Sequence, residues 1–393
     1  MSQQSAVTVV GGGIIGLAVA WKAARAGHRV RVVDAGERAA SWVAGGMLAP
    51  VAEAAPGEEE LLELGSASLR RWPEFAAELA AASGLPAGLR EEGTLVVGVD
   101  GADRSELDML ADHLGSLGRS VTRLSGREVR RAEPSLGPAV RRGLEVPGDL
   151  AVDNRVALAA LRAAAAAAGV EFRDGRARRV RPGAVDLDDG TVHCDVAVIA
   201  AGAHSGDLHP ALTGRIRPVK GEVLRLRTRR TALPPPTRTV RGPVHGRQVY
   251  LVPRDDGGLV VGATQYDAGF DLDVTVGGVR DLMADAERLV PGIAEYELVE
   301  AIAGLRPGTH DNLPLIGELE PGVLAATGHH RNGFLLAPIT ADAVLAALSG
   351  EQSPAAAAEP RRDARPDPAR FANGAWTSDG APVADDRGGQ PCK

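Results

Sequence analysis

The chain has 393 residues, of which 44% are hydrophobic and 24% charged, as in a globular protein of two or three domains. Its formal net charge of −7 argues against nucleic acid or an anionic membrane as a partner. Cys194 and Cys392 stand far apart, which argues against a disulfide framework or a cysteine zinc site and fits a reducing cytoplasm. No stretch of about 18 apolar residues lacks a charge or a helix breaker, so we expect no transmembrane segment.

The N-terminal segment predicts a βαβ unit. Residues 6–10 form a short apolar run typical of a buried strand, and a helix is expected over about 14–26. Gly27 is suited to end that helix as a C-cap, and residues 29–34 then predict a second, parallel strand.

Helical and strand patterns alternate along the rest of the chain. Helices are expected at about 58–83, 104–117, 153–169 and 339–350, and Asp153 is suited to be the N-cap of the third. Strand patterns occupy TLVVGV, VEFRD, ARRVR, AVDLDDGTVHCD, VAVIAAG, VLRLRT, QVYLVPRDDGGLVVGAT and GVLAAT. This order predicts an α/β fold, with a nucleotide-binding domain interrupted by an α+β domain.

The turn after the first strand carries a dinucleotide-binding pattern. Residues 11–16 match G-x-G-x-x-G between a strand and a helix. Gly11 permits the tight turn, Gly13 lets the backbone approach a pyrophosphate, and Gly16 lets the helix pack closely on the strand. Asp34, at the end of the second strand, is placed to accept hydrogen bonds from a ribose, and its charge argues against NADP. The turn alone leaves NAD and FAD open.

Seven motifs together resemble the D-amino-acid-oxidase-like family of FAD-dependent amine oxidases, and within it most closely the glycine oxidases of thiamine biosynthesis. They are GGGIIGLAVA, ASWVAGGMLAP, PVKGEVLRL, YLVPR, VVGAT, GLRPGTHDNLPLIG and GHHRNGFLLAP. The resemblance covers about residues 6–350 and implies a Rossmann-type FAD-binding domain with an inserted α+β substrate domain on a mixed sheet. The expected FAD-binding parts are 1–83, 151–217 and 304–350, the substrate-domain parts are 84–150 and 218–303, and 351–393 is expected to be a disordered tail.

The resemblance implies non-covalent FAD, because no cysteine is placed for a covalent link such as the sarcosine oxidases have. The residues that it assigns to the cofactor are Gly11, Gly13, Ile14, Ile15, Gly16, Asp34, Ala35, Ala40, Ser41, Gly45, Gly46, Met47, Val180, Gly304, His329, His330, Arg331, Asn332, Gly333, Phe334 and Leu335.

The resemblance also implies a substrate site. Arg306 would hold the carboxylate of a small amino acid as a bidentate pair, assisted by the hydroxyl of Tyr250, with Arg331 and Met47 near the substrate. From the residues alone, Arg306 is also compatible with a structural ion pair, Tyr250 with a core position and Arg331 with the surface. Gln265 stands where the family pattern favours an apolar residue, so the preferred side chain of the substrate stays open.

The implied reaction is oxidative deamination of glycine, or another small amino acid, to the imine and then to glyoxylate or another oxo acid and ammonia. Molecular oxygen would become hydrogen peroxide, and the imine would supply thiazole synthesis. Because the flavin accepts the hydride, no acid–base catalytic residue is expected, and the two adjacent histidines are not expected to bind a metal. The chain is compatible with a homo-oligomer without indicating one.

Other functions fit parts of the same pattern. A sarcosine or D-amino-acid oxidase would keep the chemistry, and a quinone-linked D-amino-acid dehydrogenase would change the electron acceptor. A flavoprotein used only for binding would need neither Arg306 nor Tyr250. An NAD-dependent dehydrogenase is the alternative that the motifs favour least.

Overall fold

The computed structural model describes residues 5–37 and 39–350. The disorder predicted for 351–393 therefore lies outside the described residues. The strands of the described chain are, in order, β1 (Ala6–Val10), β2 (Arg29–Asp34), β3 (Met47–Leu48), β4 (Leu89–Arg90), β5 (Thr94–Gly98), β6 (Thr122–Ser125), β7 (Arg142–Val146), β8 (Leu150–Val152), β9 (Glu171–Asp174), β10 (Ala177–Arg181), β11 (Ala184–Leu187), β12 (Gly190–His193), β13 (Val196–Ile199), β14 (Arg217–Arg227), β15 (Thr239–Val244), β16 (Arg247–Pro253), β17 (Gly258–Gly262), β18 (Glu297–Gly308), β19 (Leu315–Glu320) and β20 (Val323–Thr327).

The α-helices of the same residues are α1 (Ile14–Arg25), α2 (Ala40–Val43), α3 (Glu59–Leu69), α4 (Trp72–Ser83), α5 (Gly101–Ser116), α6 (Gly126–Ala132), α7 (Asn154–Ala167), α8 (Val276–Leu289) and α9 (Gly333–Ser349). Over residues 5–37 and 39–350, no helix has the length and apolar character needed to cross a membrane.

The first large sheet has six strands in the order β19-β20-β13-β1-β2-β9. β1 pairs in parallel with both β2 and β13, and only the edge strand β19 runs antiparallel to its neighbour. The predicted βαβ unit is therefore present as β1–α1–β2. Helices α1, α4, α7 and α9 pack together beside this sheet and bury Trp21 and Trp72 completely.

The second large sheet has eight strands in the order β18-β14-β17-β16-β15-β5-β7-β6. Its pairs are antiparallel except for the parallel pair β5–β15. A separate cluster of apolar side chains, to which α8 contributes Leu282, Ala286 and Leu289, covers part of this sheet. The two large sheets and their helices confirm the predicted α/β class with a mixed sheet. The predicted domain limits stay a prediction.

The helices differ from the predicted ones in several places, and the short helices α2 and α6 were not predicted. The pattern over 58–83 forms two helices, α3 and α4, with Pro73 in the first turn of α4, where its missing N–H costs nothing. The last helix begins at Gly333, before the predicted start at 339, and contains Pro338. Helix α8 was not predicted, although Leu282, Ala286 and Leu289 recur at helical spacing, because two glycines in its first turn and several charged residues weaken the pattern. Asp153 caps α7 as predicted, accepting from the N–H groups of Arg155 and Val156.

Candidate active site

A cavity of about 1340 Å³ is lined by residues from both large sheets. It brings together most of the residues that the sequence assigned to cofactor and substrate. Those that line it are Gly11, Gly13, Ile14, Ile15, Asp34, Ala35, Ala40, Ser41, Gly45, Gly46, Met47, Tyr250, Gly304, Arg306, His329, His330, Arg331, Gly333 and Phe334.

Four assigned residues lie outside that lining. Gly16 is in α1, where an added Cβ would lie 1.9 Å from the carbonyl oxygen of Gly11, so its place is in helix packing. Val180 is 1% exposed, lies in an apolar cluster and donates its N–H to the carbonyl of Leu208. Asn332 and Leu335 are likewise buried without lining this cavity. Their assignment to the cofactor stays a prediction.

The glycine turn between β1 and α1 forms one end of the cavity. Gly11 has φ +114°, a conformation that favours glycine, and an added Cβ would lie 2.3 Å from the carbonyl oxygen of Ala200. An added Cβ on Gly12 would lie 2.6 Å from a carboxylate oxygen of Asp34. The turn therefore presents bare backbone to the cavity beside a carboxylate, the arrangement that a dinucleotide needs.

Ser41 connects this turn to the segment that follows β2. Its hydroxyl accepts a hydrogen bond from the N–H of Ile14, the first residue of α1, at 3.0 Å. An added Cβ on Gly13 would also lie 3.0 Å from that hydroxyl. The run of small residues after Ala40 is thus fastened to the start of the helix.

Arg306 lies on β18, half-buried, with its guanidinium over the backbone of β14. An added Cβ on Gly221 would lie 2.3 Å from Nη1 and 2.5 Å from Cζ of Arg306, so glycine at 221 makes room for the group. Nη1 donates to the carbonyl oxygens of Thr264 at 3.2 Å and Lys220 at 3.5 Å. Removal from water lowers the pKa of Arg306. Within residues 5–37 and 39–350, no carboxylate lies within ion-pair distance of it, so the structural ion pair considered above is not seen there.

Tyr250 lies on β16 and its ring packs on bare backbone from two sides. An added Cβ on Gly262 would lie 2.2 Å from Cζ of the ring, and one on Gly45 would lie 2.6 Å from Cε2. Burial raises the pKa of the Tyr250 hydroxyl, and the nearby charge of Arg306 opposes that rise. The hydroxyl therefore stays protonated at neutral pH and can donate a hydrogen bond.

Arg331 differs from Arg306 because the protein supplies carboxylates for it. Its Nη2 lies 3.0 Å from Glu58 and its Nε 3.8 Å from Glu53. Glu53 also lies 3.8 Å from Nη1 of Arg241, which donates to the carbonyl of Ala52 as well. Arg331 lines the cavity, yet its charge is already balanced there.

The two histidines of GHHRNG are buried. His329 shares a hydrogen bond of 3.0 Å with the hydroxyl of Thr340, and burial lowers its pKa to about 3. Burial also lowers the pKa of His330 to about 3, and the positive charges of Arg331 and Arg306 add to that effect. Both imidazoles are neutral at physiological pH and unsuited to general acid–base work.

Several lining residues were not assigned a role from the sequence. Gly221 lines the cavity beneath Arg306, and Gly262, outside the lining, packs against the ring of Tyr250; a glycine inside each strand pattern was the available signal. Gln248 faces the same side of β16 as Tyr250 by strand alternation, and donates to Glu106 at 2.7 Å. Gln265, the departure from the family pattern, is exposed and also lines the cavity.

Residues 6–347 match the family model described as DAO, FAD dependent oxidoreductase. The chain belongs to this family. FAD is its cofactor, and it is an FAD-dependent oxidoreductase.

Relatives of the chain include members of the same family with stated activities. The chain is 33% identical to the glycine oxidase of Geobacillus kaustophilus over 86% of its own length and 92% of the relative's. It is 36% identical to the putative thiamine biosynthesis oxidoreductase ThiO of Rhizobium etli, with 88% and 97% covered. It is 34% identical to the bifunctional protein ThiO/ThiG of a Nostoc species, covering 88% of this chain but 53% of that one. The chain thus spans about half the length of the bifunctional relatives it matches.

Solved structures show the same fold. The crystal structure of glycine oxidase from Geobacillus kaustophilus superposes with a TM-score of 0.81 at 32% identity, covering 90% of this chain and 96% of that one. Iminodiacetate oxidase from Chelativorans superposes with a TM-score of 0.78 at 26% identity, covering 88% and 96%.

Proposed function

We propose that this protein oxidises glycine to its imine, which hydrolyses to glyoxylate and ammonia, while molecular oxygen is reduced to hydrogen peroxide. The overall balance is glycine, oxygen and water giving glyoxylate, ammonia and hydrogen peroxide. The observation that carries the proposal is Arg306, a half-buried cation on the cavity wall that has no carboxylate partner within the described chain. A buried guanidinium of this kind is stabilised when a ligand supplies the carboxylate.

The described residues fit FAD at the other end of the cavity. The turn at Gly11–Gly13 leaves space that any Cβ would fill, and Asp34 stands beside it to accept hydrogen bonds from a ribose. We place the pyrophosphate at that turn and the ring system beside Gly45, Gly46 and Met47, with non-covalent binding because the one cysteine of the described chain, Cys194, does not line the cavity. When bound, FAD supplies the acceptor for the hydride that leaves the α-carbon.

The protein's own residues position the substrate and keep water away from it. Arg306 would take the carboxylate through two parallel N–H bonds, which also orients the α-carbon. Tyr250, whose hydroxyl is kept protonated by burial, would donate a further hydrogen bond to the same carboxylate. Since His329 and His330 are neutral and buried, positioning rather than proton transfer is what the described side chains contribute.

The names of the relatives support glycine as the substrate. The match with the relatives named glycine oxidase extends over almost the whole length of those relatives. The relatives named ThiO and ThiO/ThiG support a place in thiamine formation, where the imine would serve thiazole synthesis. A biosynthetic role of this kind, with two cysteines in the whole chain, supports a cytoplasmic location.

The test is anaerobic mixing of the purified protein with glycine, sarcosine or D-alanine while the flavin absorbance is followed, after which air is admitted. We expect glycine to bleach the absorbance and air to restore it with release of peroxide. Faster bleaching by sarcosine or D-alanine would show that this compound, and not glycine, is the preferred substrate. Bleaching without prompt recovery in air would indicate a dehydrogenase with another acceptor, such as a quinone.

A further inference from the structure

Residues 41–46, here called the 41–46 segment, line the cavity except for Trp42, and their carbonyl groups contact buried polar side chains. Asn154, at the start of α7, is 0% exposed. Its Nδ2 donates to the carbonyl oxygens of Ser41 and Trp42, both at 2.9 Å. A single side-chain amide therefore holds two successive carbonyls of the short helix α2.

Arg254, the arginine of YLVPR, holds the next part of the segment. It is 7% exposed, and its Nη2 donates to the carbonyl oxygen of Gly45 at 2.8 Å and to Oδ1 of Asn154 at 3.2 Å. Its Nε lies 3.3 Å from Asp153, the cap of α7. Removal from water lowers the pKa of Arg254, so the burial carries an electrostatic cost that these contacts offset.

Two more arginines complete the support. Nη2 of Arg225 donates to Oδ1 of Asn154 at 3.0 Å and to the carbonyl oxygen of Trp42 at 3.3 Å. Arg155 donates from Nε to the same carbonyl at 3.4 Å and forms an ion pair of 2.5 Å with Glu300. The carbonyl of Trp42 thus accepts from three side chains, which fixes its direction.

The opposite side of the 41–46 segment meets groups of the proposed FAD and substrate sites. The hydroxyl of Ser41 accepts from the N–H of Ile14 at the start of α1. The ring of Tyr250 packs on Gly45, and an added Cβ there would lie 2.6 Å from it. A shift of the segment would therefore disturb the glycine turn and Tyr250 together.

We propose that Asn154 and Arg254 are positioning residues for the cofactor: they hold the carbonyls of the 41–46 segment so that its other side is shaped to receive FAD. The proposal rests on the proposed placement of FAD beside that segment. Neither residue lines the cavity, so each acts through the segment rather than by contact. Buried side chains that lock a binding segment in this way preorganise the site.

Asn154→Asp is the discriminating variant, measured as the dissociation constant of FAD from apoprotein by quenching of flavin fluorescence. Aspartate keeps the acceptor for Arg225 and Arg254 but replaces the Nδ2 donor with an oxygen that repels the carbonyls of Ser41 and Trp42. Two hydrogen bonds to the segment are lost, so we expect FAD to bind at least tenfold more weakly, which corresponds to about 1.4 kcal/mol. The apoprotein should stay folded with a lower melting temperature, because two buried hydrogen bonds are lost while the arginines keep their acceptor.

Arg254→Lys and Arg254→Met are the second pair. Lysine keeps the charge and one donor, so it should retain more FAD affinity than methionine and show a smaller shift of the flavin absorbance bands. The matched control is Arg238→Met. It removes a partly buried arginine that directly precedes β15 of the eight-stranded sheet and forms an ion pair of 3.0 Å with Glu145. The control should leave FAD affinity unchanged.

The outcomes separate this inference from the proposed function. Wild-type apoprotein that binds no FAD would refute the placement of FAD itself. Wild-type affinity for FAD in folded Asn154→Asp and Arg254→Met would overturn the positioning role, whatever happened to their melting temperatures. Failure of Asn154→Asp and Arg254→Lys to fold, with Arg238→Met folded, would also overturn it and assign the network to stability.

Discussion

Replacing Gly221 by alanine tests the substrate site without removing any functional group. Gly221 lies on β14 beneath the guanidinium of Arg306, and the added methyl would lie 2.3 Å from Nη1. Ordinary contacts of a Cβ begin at 3.4 Å, so the guanidinium must move by about 1 Å. The flexible end of an arginine side chain can make that movement without disturbing the strand.

A displacement of about 1 Å in a binding group costs on the order of 100-fold in catalytic efficiency. We therefore expect kcat/KM for glycine to fall roughly 100-fold. Most of the effect should appear in KM, because the carboxylate is held alike in the ground and transition states. Steady-state peroxide formation over a range of glycine concentrations gives both constants, and the melting temperature shows that the fold is retained.

Gly115→Ala is the matched control, since an added Cβ there meets nothing within 4 Å. It should leave kcat and KM unchanged and raise stability slightly, because alanine is favoured over glycine in a helix by about 1 kcal/mol. Wild-type KM in a folded Gly221→Ala protein would refute the assignment of Arg306 to the substrate carboxylate.

Three further predictions concern single side chains. Arg306→Lys should raise KM for glycine far more than it lowers the melting temperature, since it keeps the charge and loses the paired donors. Trp72→Phe should lower the free energy of unfolding in urea by about 1–3 kcal/mol, because the indole N–H that reaches the carbonyl of Leu335 at 3.1 Å is lost inside the core. Asp149 is fully buried and accepts from the N–H of Ala52 at 3.1 Å, and burial raises its pKa to about 7. Its folded form binds the proton more tightly than the unfolded chain, so its stabilising contribution is present below pH about 4 and is lost as the pH rises through about 7. The free energy of unfolding of Asp149→Asn should therefore rise relative to that of the wild type between pH about 4 and about 7, measured by urea unfolding.

Each of these has a contrary result. A marked fall in the melting temperature of Arg306→Lys, as large in free energy as the effect on KM, would indicate that Arg306 has a structural role. An unchanged unfolding free energy in Trp72→Phe would mean that the hydroxyl of Ser68, which donates to the same carbonyl at 2.6 Å, is sufficient for the carbonyl of Leu335. A stability difference between Asp149→Asn and the wild type that does not vary with pH would show that Asp149 is ionised throughout.

Local patterns in the sequence were sufficient for the parts of this protein that depend on neighbouring residues. The βαβ unit was predictable because β1, the glycine turn and α1 lie within twenty consecutive residues. Asp153 could be assigned as a cap, since a cap bonds to backbone groups two and three residues along the chain. Arg306 stood out because an arginine among glycines, prolines and aliphatic residues is unusual, whereas Tyr250 was assigned only through the family resemblance.

Other features needed the tertiary structure because their partners are distant in the chain. The contact of the apolar side of helix α8 with the eight-stranded sheet could not be predicted, because it joins segments that are far apart in the chain. The positive charge of Arg331 is balanced by Glu53 and Glu58, which lie more than two hundred residues earlier in the chain. No local sequence pattern indicates ion pairs over that separation.

The sequence by itself determined the nucleotide-binding unit, the family resemblance and the residue type that suits a carboxylate. Only the tertiary structure decided that Gly221 lies under Arg306, because that contact depends on the pairing of β14 with β18. It also decided that Asn154 and Arg254 meet at the 41–46 segment. The physical reason is the same in each case. Periodicity and capping depend on residues that are close in the chain, whereas the site is formed by residues that are distant in the chain and brought together by the fold.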